Sequence, residues 1–334
     1  MRLITDLRAY QTRNLQRLVL AIGNFDGFHL GHQKILAYVV KQARKNHALS
    51  AILTFRNHPQ VVLHPPKKKL LLFSFDQKLA FLQKAGVDIC LAPFFTRVFS
   101  KMSPEVFVEK ILAKQLRVLE VCMGVDARFG YRRRGTTSLM ENLARKYGFL
   151  FKRMEPVLIG ERPVSSSWIR ELLVEGEIEK VNRCLGRPFS IWGDIVRGKG
   201  HGIHLGFPTA NLESYANIQI PLGVYVASAR FLRRKMSFAT GSDASARFFK
   251  EVSPWIPGVM NFGKRPTYPS SETPQPVLET HLFDFKKRVY GKTMEVALHK
   301  FIRPEKRFAD EGVLKKQIGK DVEVARKWHR KRPR

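Results

Sequence analysis

The sequence is poor in acidic residues, in cysteine and in long apolar runs. It contains 28 Asp and Glu against 59 Lys and Arg, a formal net charge of +31. Its three cysteines, Cys90, Cys122 and Cys184, are far apart and lack metal-ligand spacing, so we expect neither a disulfide scaffold nor a zinc site, and we predict a reducing, cytoplasmic location. No run of about 18 apolar residues occurs, so we expect no membrane-spanning helix, and the charged first residues do not predict a secretory signal.

The excess of positive charge favours an anionic partner of some kind. The basic residues are spread along the chain, with small clusters at Lys67–Lys69, Arg132–Arg134 and residues 326–334. Such a field attracts nucleic acids, but charge alone gives nonspecific affinity and no recognition site. A basic nucleic-acid-binding protein is therefore one alternative, although no specific nucleic acid is expected. Anionic small substrates such as nucleotides fit the charge equally well.

Strands and helices alternate through the first half of the chain. Residues 18–25 predict a buried strand, and further strands are predicted at residues 50–55, 87–94, 118–124 and 149–154. The alternation predicts a doubly wound, Rossmann-like parallel sheet with helices on both faces. Two further helices, expected to begin near Ser165 and Glu177, end at Gly186. We therefore predict a first domain at residues 1–185 and a second at 186–334.

The second half has a different pattern, in which short apolar segments are separated by Gly, Pro and Asn turns. This pattern predicts an antiparallel β-barrel. A single terminal helix is expected at about residues 309–328, with an apolar stripe of Leu314, Ile318, Val322 and Ala325. The polar segment 233–254 predicts an extended loop or an insertion between two strands.

The segment GNFDGFHLGH (residues 23–32) is the first candidate site. It lies where a predicted strand ends and a helix begins, which in an open parallel sheet is the crevice that binds ligands. Gly27 and Gly31 leave room for a phosphate beside backbone N–H groups. His29 and His32 share one face of a helical turn and can donate hydrogen bonds to one phosphate chain. The context favours a phosphate site over two exposed polar residues.

The segment HLGFPTANL (residues 204–212) is the second candidate site. Gly206 and Pro208 shape a loop, and Thr209 and Asn211 offer oxygen atoms two residues apart. Hydroxyl and amide oxygens suit Mg²⁺, which shares its coordination with substrate phosphates. A capped turn explains the same residues equally well.

Four motifs of the first half resemble, in order, those of the adenylyltransferase domain of bacterial bifunctional riboflavin kinase/FMN adenylyltransferases. GNFDGFHLGH is similar to the GxFDGxHxGH signature of nucleotidyltransferases, and TFRNHP (54–59), GVDARFGYRRRG (124–135) and VSSSWIR (164–170) are similar to later motifs. The resemblance implies that His29 and His32 stabilise adenylyl transfer and that Arg170 holds the departing phosphates. The ATP-binding residues that it implies are Gly23, Phe25, Gly27, Gly31, Ser165, Ser166, Ser167 and Arg170. Those it places near the flavin are Asp126, Arg128, Phe129 and His58.

The second half resembles riboflavin kinases over nearly its whole length. GFPTAN (206–211) matches a motif of that family, and the similarity continues through GVYVA (223–227), GVMNFGKRPTY (258–268), ETHLFDF (279–285), VYGKTMEV (289–296) and FIRPEKRF (301–308). It implies a small antiparallel barrel with a C-terminal helix, with Gly206 and Pro208 at ATP and Thr209 and Asn211 at Mg²⁺. Glu279 is then the expected general base, because the kinase must deprotonate a ribityl alcohol.

Together the two resemblances imply FAD biosynthesis in two steps. Riboflavin and ATP give FMN and ADP, and FMN and ATP then give FAD and pyrophosphate, so the expected partners are riboflavin, FMN, FAD, ATP and Mg²⁺. Four positions depart from the family patterns, namely Asn57, Ala127, Ser167 and Ile203. The alternative is that only one activity is retained, because Ala127 affects the flavin wall and Ile203 the ATP loop.

Overall fold

A computed structural model describes residues 1–10, 16–63, 71–198, 200–216, 218–235, 248–264 and 276–331. Its described residues form two compact units. The first contains the described residues up to Leu71, Phe75–Ser165 and Phe248, and the second contains Leu72–Ser74, Ser166–Lys235 and the described residues from Phe249 onward.

The first unit is built on a parallel sheet of six strands. In spatial order, β1-β4-β3-β2-β5-β6, all neighbouring strands run parallel. The strands are β1 (Arg2–Ile4), β2 (Leu18–Ile22), β3 (Leu49–Leu53), β4 (Ile89–Leu91), β5 (Val118–Gly124) and β6 (Leu150–Met154). β2 reads LVLAI and is buried almost throughout, as expected of a central parallel strand covered on both faces.

Helices cover both faces of this sheet, as the alternating sequence predicts. They are α1 (Leu30–Lys45), α2 (Pro59–Leu63), α3 (Phe75–Lys84), α4 (Arg97–Ser100), α5 (Pro104–Val106) with a π-helical continuation (Phe107–Gln115), and α6 (Thr137–Tyr147). α1 packs across β2, β3 and β5, and its apolar stripe of Leu36, Val39, Val40 and Ala43 is buried. On the opposite face, Leu18 and Leu20 share a core with Val108 and Leu112 of the π-helical segment.

The predicted strands and helices of the first half are confirmed, with small differences. β1 was not predicted, because a three-residue strand at the sheet edge has too little periodicity to signal itself. One helix begins directly after Ser103, whose hydroxyl accepts a hydrogen bond from Val106 N–H at 3.3 Å. It changes to π-helical geometry at Phe107, which is a bulge that propensity cannot predict.

The second unit is the predicted antiparallel barrel. Its strands are β9 (Phe189–Val196), β10 (Ala210–Ser214), β11 (Gly223–Lys235), β12 (Phe248–Glu251), β13 (Ile256–Lys264), β14 (Pro276–Leu282) and β15 (Thr293–Pro304), after a short hairpin of β7 (Leu158–Ile159) and β8 (Arg162–Pro163) that ends the first unit. The order β11-β13-β14-β10-β9-β15 closes on itself through the pairing of β11 with β15, and β12 adds to the edge at β11.

Two short helices precede the barrel, a third lies between its strands β9 and β10, and a long helix follows it. They are α7 (Ser166–Val174), α8 (Ile178–Leu185), α9 (His201–His204) and α10 (Glu311–Arg330). The stripe predicted for the terminal helix is confirmed, because Val322 and Ala325 are buried against Val224 and Val226 of β11, with Ile318 alongside. Asp321 is buried and binds the guanidinium of Arg303 at 2.6 Å, which ties α10 to β15.

The loop predicted in the second half is corrected by the structure, and the predicted domain boundary is not tested by it. The extended loop predicted at 233–254 is wrong at both ends, since β11 reaches Lys235 and β12 spans Phe248–Glu251, whereas residues 236–247 lie outside the described residues. Phe249 packs edge-on against Trp192 with ring centroids 5.4 Å apart, a contact between distant residues that no local pattern predicts. The domain boundary at residue 185 stays a prediction. In the structure α7 and α8 pack within the second unit, and Asn182 Nδ2 donates to Leu298 O at 2.9 Å.

No helix in the described ranges has both the length and the apolar character that crossing a membrane would need.

Candidate active sites

The first candidate site lies at the C-terminal end of β2. This strand is the point at which the sheet order reverses, because β3 and β4 lie to one side of it and β5 and β6 to the other. Ligands of open α/β sheets bind at such a switch point, outside the carboxyl ends of the strands. The parallel pairing also brings the loops after β3 and β5 beside the turn that follows β2, so three of the predicted motifs meet there.

The turn after β2 has an unusual backbone conformation. Phe25 (φ 49°), Gly27 (φ 84°) and Phe28 (φ 46°) are all left-handed, and for the two phenylalanines this costs about 1–3 kcal/mol each. Packing holds the turn, since Phe25, Asp26 and Phe28 are buried and the Phe28 ring stacks on Phe81 of α3 at 5.4 Å. Such strain, held by the surrounding structure, is typical of functional sites.

The turn places His29 and His32 as a stacked pair. Their ring centroids are 3.7 Å apart with planes inclined by 23°, so the predicted common face is confirmed. His29 is the N-terminal capping residue of α1, yet its imidazole makes no capping hydrogen bond. Gly31 allows this arrangement, because a Cβ atom there would lie 3.2 Å from the His29 ring. Gly23 is similarly close to the Phe25 ring.

The VSSSWIR motif is divided between the two units. A Cβ atom on Gly31 would lie 3.9 Å from the carbonyl oxygen of Val164, so the motif begins beside the first turn of α1 and Ser165 follows directly. Ser166 begins α7 in the second unit, where Arg170 donates to the Ser166 carbonyl at 3.1 Å. The ATP contacts expected of Ser165, Ser166, Ser167 and Arg170 stay predictions.

The TFRNHP segment follows β3 and is anchored by Asn57. Its side-chain amide donates to Phe95 O at 3.0 Å and accepts from Phe95 N–H at 2.7 Å, which fixes the segment to the loop after β4. The asparagine that departs from the family pattern therefore has a clear structural role. His58 is half-buried at the start of α2, and its expected flavin contact stays a prediction.

The loop after β5 holds the other residues expected at the flavin. Asp126 and Arg128 are exposed, whereas Phe129 is buried in the core against Phe107, with ring centroids 5.9 Å apart. Phe129 and Gly135 exchange backbone hydrogen bonds, and a Cβ atom on Gly135 would meet the Phe129 ring at 2.7 Å. In this structure Phe129 closes the loop. The flavin contacts of all three residues stay predictions.

The second candidate site lies on the barrel, where three polar residues form a row across adjacent strands. Asn211 on β10 is directly opposite Glu279 on β14, and Glu279 is directly opposite Asn261 on β13. Paired residues in an antiparallel sheet present their side chains on the same face. Val224 continues the row on β11 and packs on α10, so the row lies on the outer face of the barrel. Asn261 was not predicted, although its register with Glu279 follows from a correct strand pairing.

A glycine-rich loop covers the start of this row. A Cβ atom on Gly198 would lie 2.2 Å from Asn211 Nδ2, and one on Gly202 would lie 2.5 Å from Phe207 O and 3.1 Å from Thr209 Oγ1. Gly206 has a left-handed φ of 86°, which turns the chain into Pro208 and Thr209. His281, on the same face of β14 as Glu279, donates from Nδ1 to Pro208 O at 2.8 Å. Sequence reasoning missed this link, which lies within the ETHLFDF motif.

The whole chain is similar to known proteins, and the similarity includes the segments that form both sites. A family model for FAD synthetase matches residues 11–168, and one for riboflavin kinase matches residues 185–329. The curated bifunctional riboflavin kinase/FMN adenylyltransferase of Buchnera aphidicola from Schizaphis graminum is 34% identical over 98% of this chain and 99% of its own. Those of Haemophilus influenzae and Escherichia coli K12 are each 32% identical, over 94% and 98% of this chain and 95% and 98% of their own.

A solved structure adds a comparison of fold. The crystal structure titled as a macrolide-efflux protein from Streptococcus pneumoniae has a TM-score of 0.81, 24% identity and 98% coverage of both chains. At that identity it shows the fold alone.

The fold and the matches define a two-domain transferase that uses ATP as co-substrate, with an α/β nucleotidyltransferase part and a β-barrel kinase part. The chain belongs to the bifunctional riboflavin kinase/FMN adenylyltransferase family.

Proposed function

We propose that this chain carries out both steps of FAD synthesis and that the two sites above perform them. Riboflavin is phosphorylated by ATP on the barrel, and FMN receives an adenylyl group from ATP at the end of β2. The observation that carries the proposal is the row on the barrel, in which Glu279 stands directly across from Asn211, within a chain that also has a stacked histidine pair at its sheet switch point.

In the kinase step, Glu279 acts as the general base. It accepts the proton of the ribityl hydroxyl as that oxygen attacks the γ-phosphorus of ATP and ADP departs. The position on β14 fixes the carboxylate beside Asn211 and Asn261, so its orientation does not depend on a loop.

The residues beside Glu279 also suit Mg²⁺. Thr209 and Asn211 supply hydroxyl and amide oxygens, which are hard ligands of the kind that this ion takes, and the Asn211 amide lies close to Gly198. Bound there with the substrate phosphates, the ion would neutralise charge during transfer. Mg²⁺ is commonly bound by few protein ligands together with substrate phosphates, so the phosphates of ATP would complete the coordination.

In the adenylyl step, the attacking group is already an anion and needs no base. A phosphate oxygen of FMN attacks the α-phosphorus of ATP, and pyrophosphate departs. His29 and His32 donate hydrogen bonds to phosphate oxygens as their negative charge redistributes. Gly27 and Gly31 leave the backbone open to the phosphates at the start of α1.

Because the three cysteines are buried and free of disulfides, the cytoplasm is the compartment that we propose.

Glu279→Gln tests the kinase assignment. It should lower FMN formation from riboflavin by about 10²–10⁴-fold, because a positioned general base contributes that much. FAD formation from supplied FMN should not change. Glu213→Gln, at an exposed position on the neighbouring β10, is the matched control and should leave both rates unchanged. A kinase rate that survives Glu279→Gln would show that another group is the base.

A further inference from the structure

Lys78 on α3 reaches the turn after β2 through three hydrogen bonds. Its ammonium lies 2.7 Å from Asn24 O, 3.2 Å from Thr54 Oγ1 and 3.5 Å from Phe55 O. The Thr54 hydroxyl in turn donates to Asn24 O at 3.1 Å. An ammonium has three donors and no acceptor, so all three are used. One side chain thus joins the turn after β2 to the segment after β3.

The Asn24 carbonyl precedes the left-handed part of the turn. Phe25, Gly27 and Phe28 follow it with positive φ, and His29 comes next. A neutral donor would bind the Asn24 carbonyl less strongly than the ammonium does, because hydrogen bonds from a charged donor are about twice as strong as neutral ones. Lys78 and Phe81, on which the Phe28 ring stacks, are both residues of α3. This helix therefore supports the turn through two contacts.

The surroundings of Lys78 shift the pKa of its ammonium in opposite directions. Burial lowers the pKa of Lys78, while the negative charge of Asp26 in the turn acts to raise it, and the thiol of Cys90 on β4 lies nearby. Cys90 itself stays a neutral thiol at ordinary pH, since burial raises its pKa to about 12. Asp26, which is buried in the turn, is the carboxylate that acts on the pKa of Lys78.

We propose that Lys78 is a positioning residue for adenylyl transfer, which holds the turn after β2 in the conformation that places His29 and His32. This inference rests on the proposed function of that site. It does not require Lys78 to touch a substrate, because its three donors already bind protein oxygens. Its effect should therefore fall on kcat rather than on KM.

Lys78→Met in the full-length chain tests the proposal. The kcat for FAD formation from FMN and ATP should fall by about 100-fold, which is the usual result of a displacement of about 1 Å in a reacting group. The KM values for ATP and FMN should change much less. Riboflavin phosphorylation, measured on the same preparation, should be unchanged, which shows that the chain is folded. Lys84→Met, at an exposed position on the same helix, is the matched control and should leave both rates unchanged.

Rescue and pH dependence separate positioning from a purely structural role. Lys78→Arg should restore much of kcat. In the wild type, adenylyl transfer should be lost at alkaline pH as Lys78 deprotonates. In Lys78→Arg this loss should move to higher pH, because a guanidinium stays charged. Thr54→Val should lower kcat several-fold in the same direction, and it serves if Lys78→Met does not fold.

Three results would overturn the inference. A Lys78→Met enzyme with wild-type kcat for FAD formation would do so, as would a rise confined to KM, which would mean direct substrate binding. An alkaline limb that is the same in wild type and Lys78→Arg would do so as well. If the wild-type chain forms no FAD from FMN, the proposed function itself fails, and this outcome is distinct from the other three.

Discussion

The two histidines at the start of α1 lie in van der Waals contact, with ring centroids 3.7 Å apart. Their closeness means that they act on one small region, which fits adjacent oxygens of a single phosphate chain. His29→Ala should therefore lower FAD formation by about 10²–10³-fold, the usual loss when one preorganised donor is removed. FMN formation from riboflavin should continue at the wild-type rate. Chromatography of the flavins formed over time measures both rates, and an equal loss of FMN formation would contradict the assignment.

Gly198 offers a second test at the scale of one residue. A Cβ atom there would lie 2.2 Å from Asn211 Nδ2, so Gly198→Ala must displace either the loop or the amide. We expect the kinase rate to fall by about 100-fold, with the adenylyl rate unchanged. Gly319→Ala is the control, because a Cβ atom at that position in α10 meets nothing within 4 Å and alanine favours the helix. Normal kinase activity in Gly198→Ala would mean that Asn211 is not needed in its present position.

At the scale of elements, the docking of α10 on the barrel depends on a histidine near its end. His329 hydrogen bonds through Nε2 to Ala227 O at 2.9 Å, and burial lowers the pKa of His329 below its usual 6.5. The unfolded chain therefore binds the proton more readily than the folded chain. This contribution to stability is present above pH 6.5 and is lost as the pH falls from 6.5 toward the folded pKa.

His329→Gln should remove that acid-side loss of stability. Urea unfolding between pH 5 and 8 measures it as the slope of the unfolding free energy against pH, which should be smaller in His329→Gln than in wild type. His204→Gln, at an exposed position on α9, should keep the wild-type slope. An unchanged slope in His329→Gln would show that other groups cause the acid sensitivity.

The elements that the sequence predicts well are those whose own residues determine them. β2 and α1 carry a clear apolar pattern, and the strand-to-helix junction between them located the histidine pair. Glu279 and Asn211 were found through their motifs, and their pairing follows once β10 and β14 are neighbours. Lys78 could not be found in this way, because it binds Asn24 across 54 residues and no local pattern marks the contact. The same holds for β12, whose burial of Phe249 depends on Trp192.

At the scale of the whole molecule, the net charge of +31 fits nucleotide substrates but also attracts nucleic acids. The exposed face of α10 contributes to it, with Lys316, Lys320, Lys327 and Lys331 in one stripe along the helix. We expect this charge to give only nonspecific attraction to nucleic acids. Binding to RNA should therefore weaken steeply between 50 and 200 mM salt, by about 10³-fold for several phosphate contacts. Binding that persists at physiological salt and discriminates among sequences would contradict this expectation.

The central claim is that one chain performs two transfers at two separate sites, and a time course of flavins tests it most directly. Purified protein is incubated with riboflavin, ATP and Mg²⁺, and riboflavin, FMN and FAD are separated at intervals. We predict that FMN appears first and FAD follows, that Glu279→Gln forms both far more slowly from riboflavin, and that His29→Ala accumulates FMN. Mixing the two variants should restore FAD formation, because FMN released by one is the substrate of the other. Accumulation of FMN without FAD in the wild type, or no recovery in the mixture, would contradict the account.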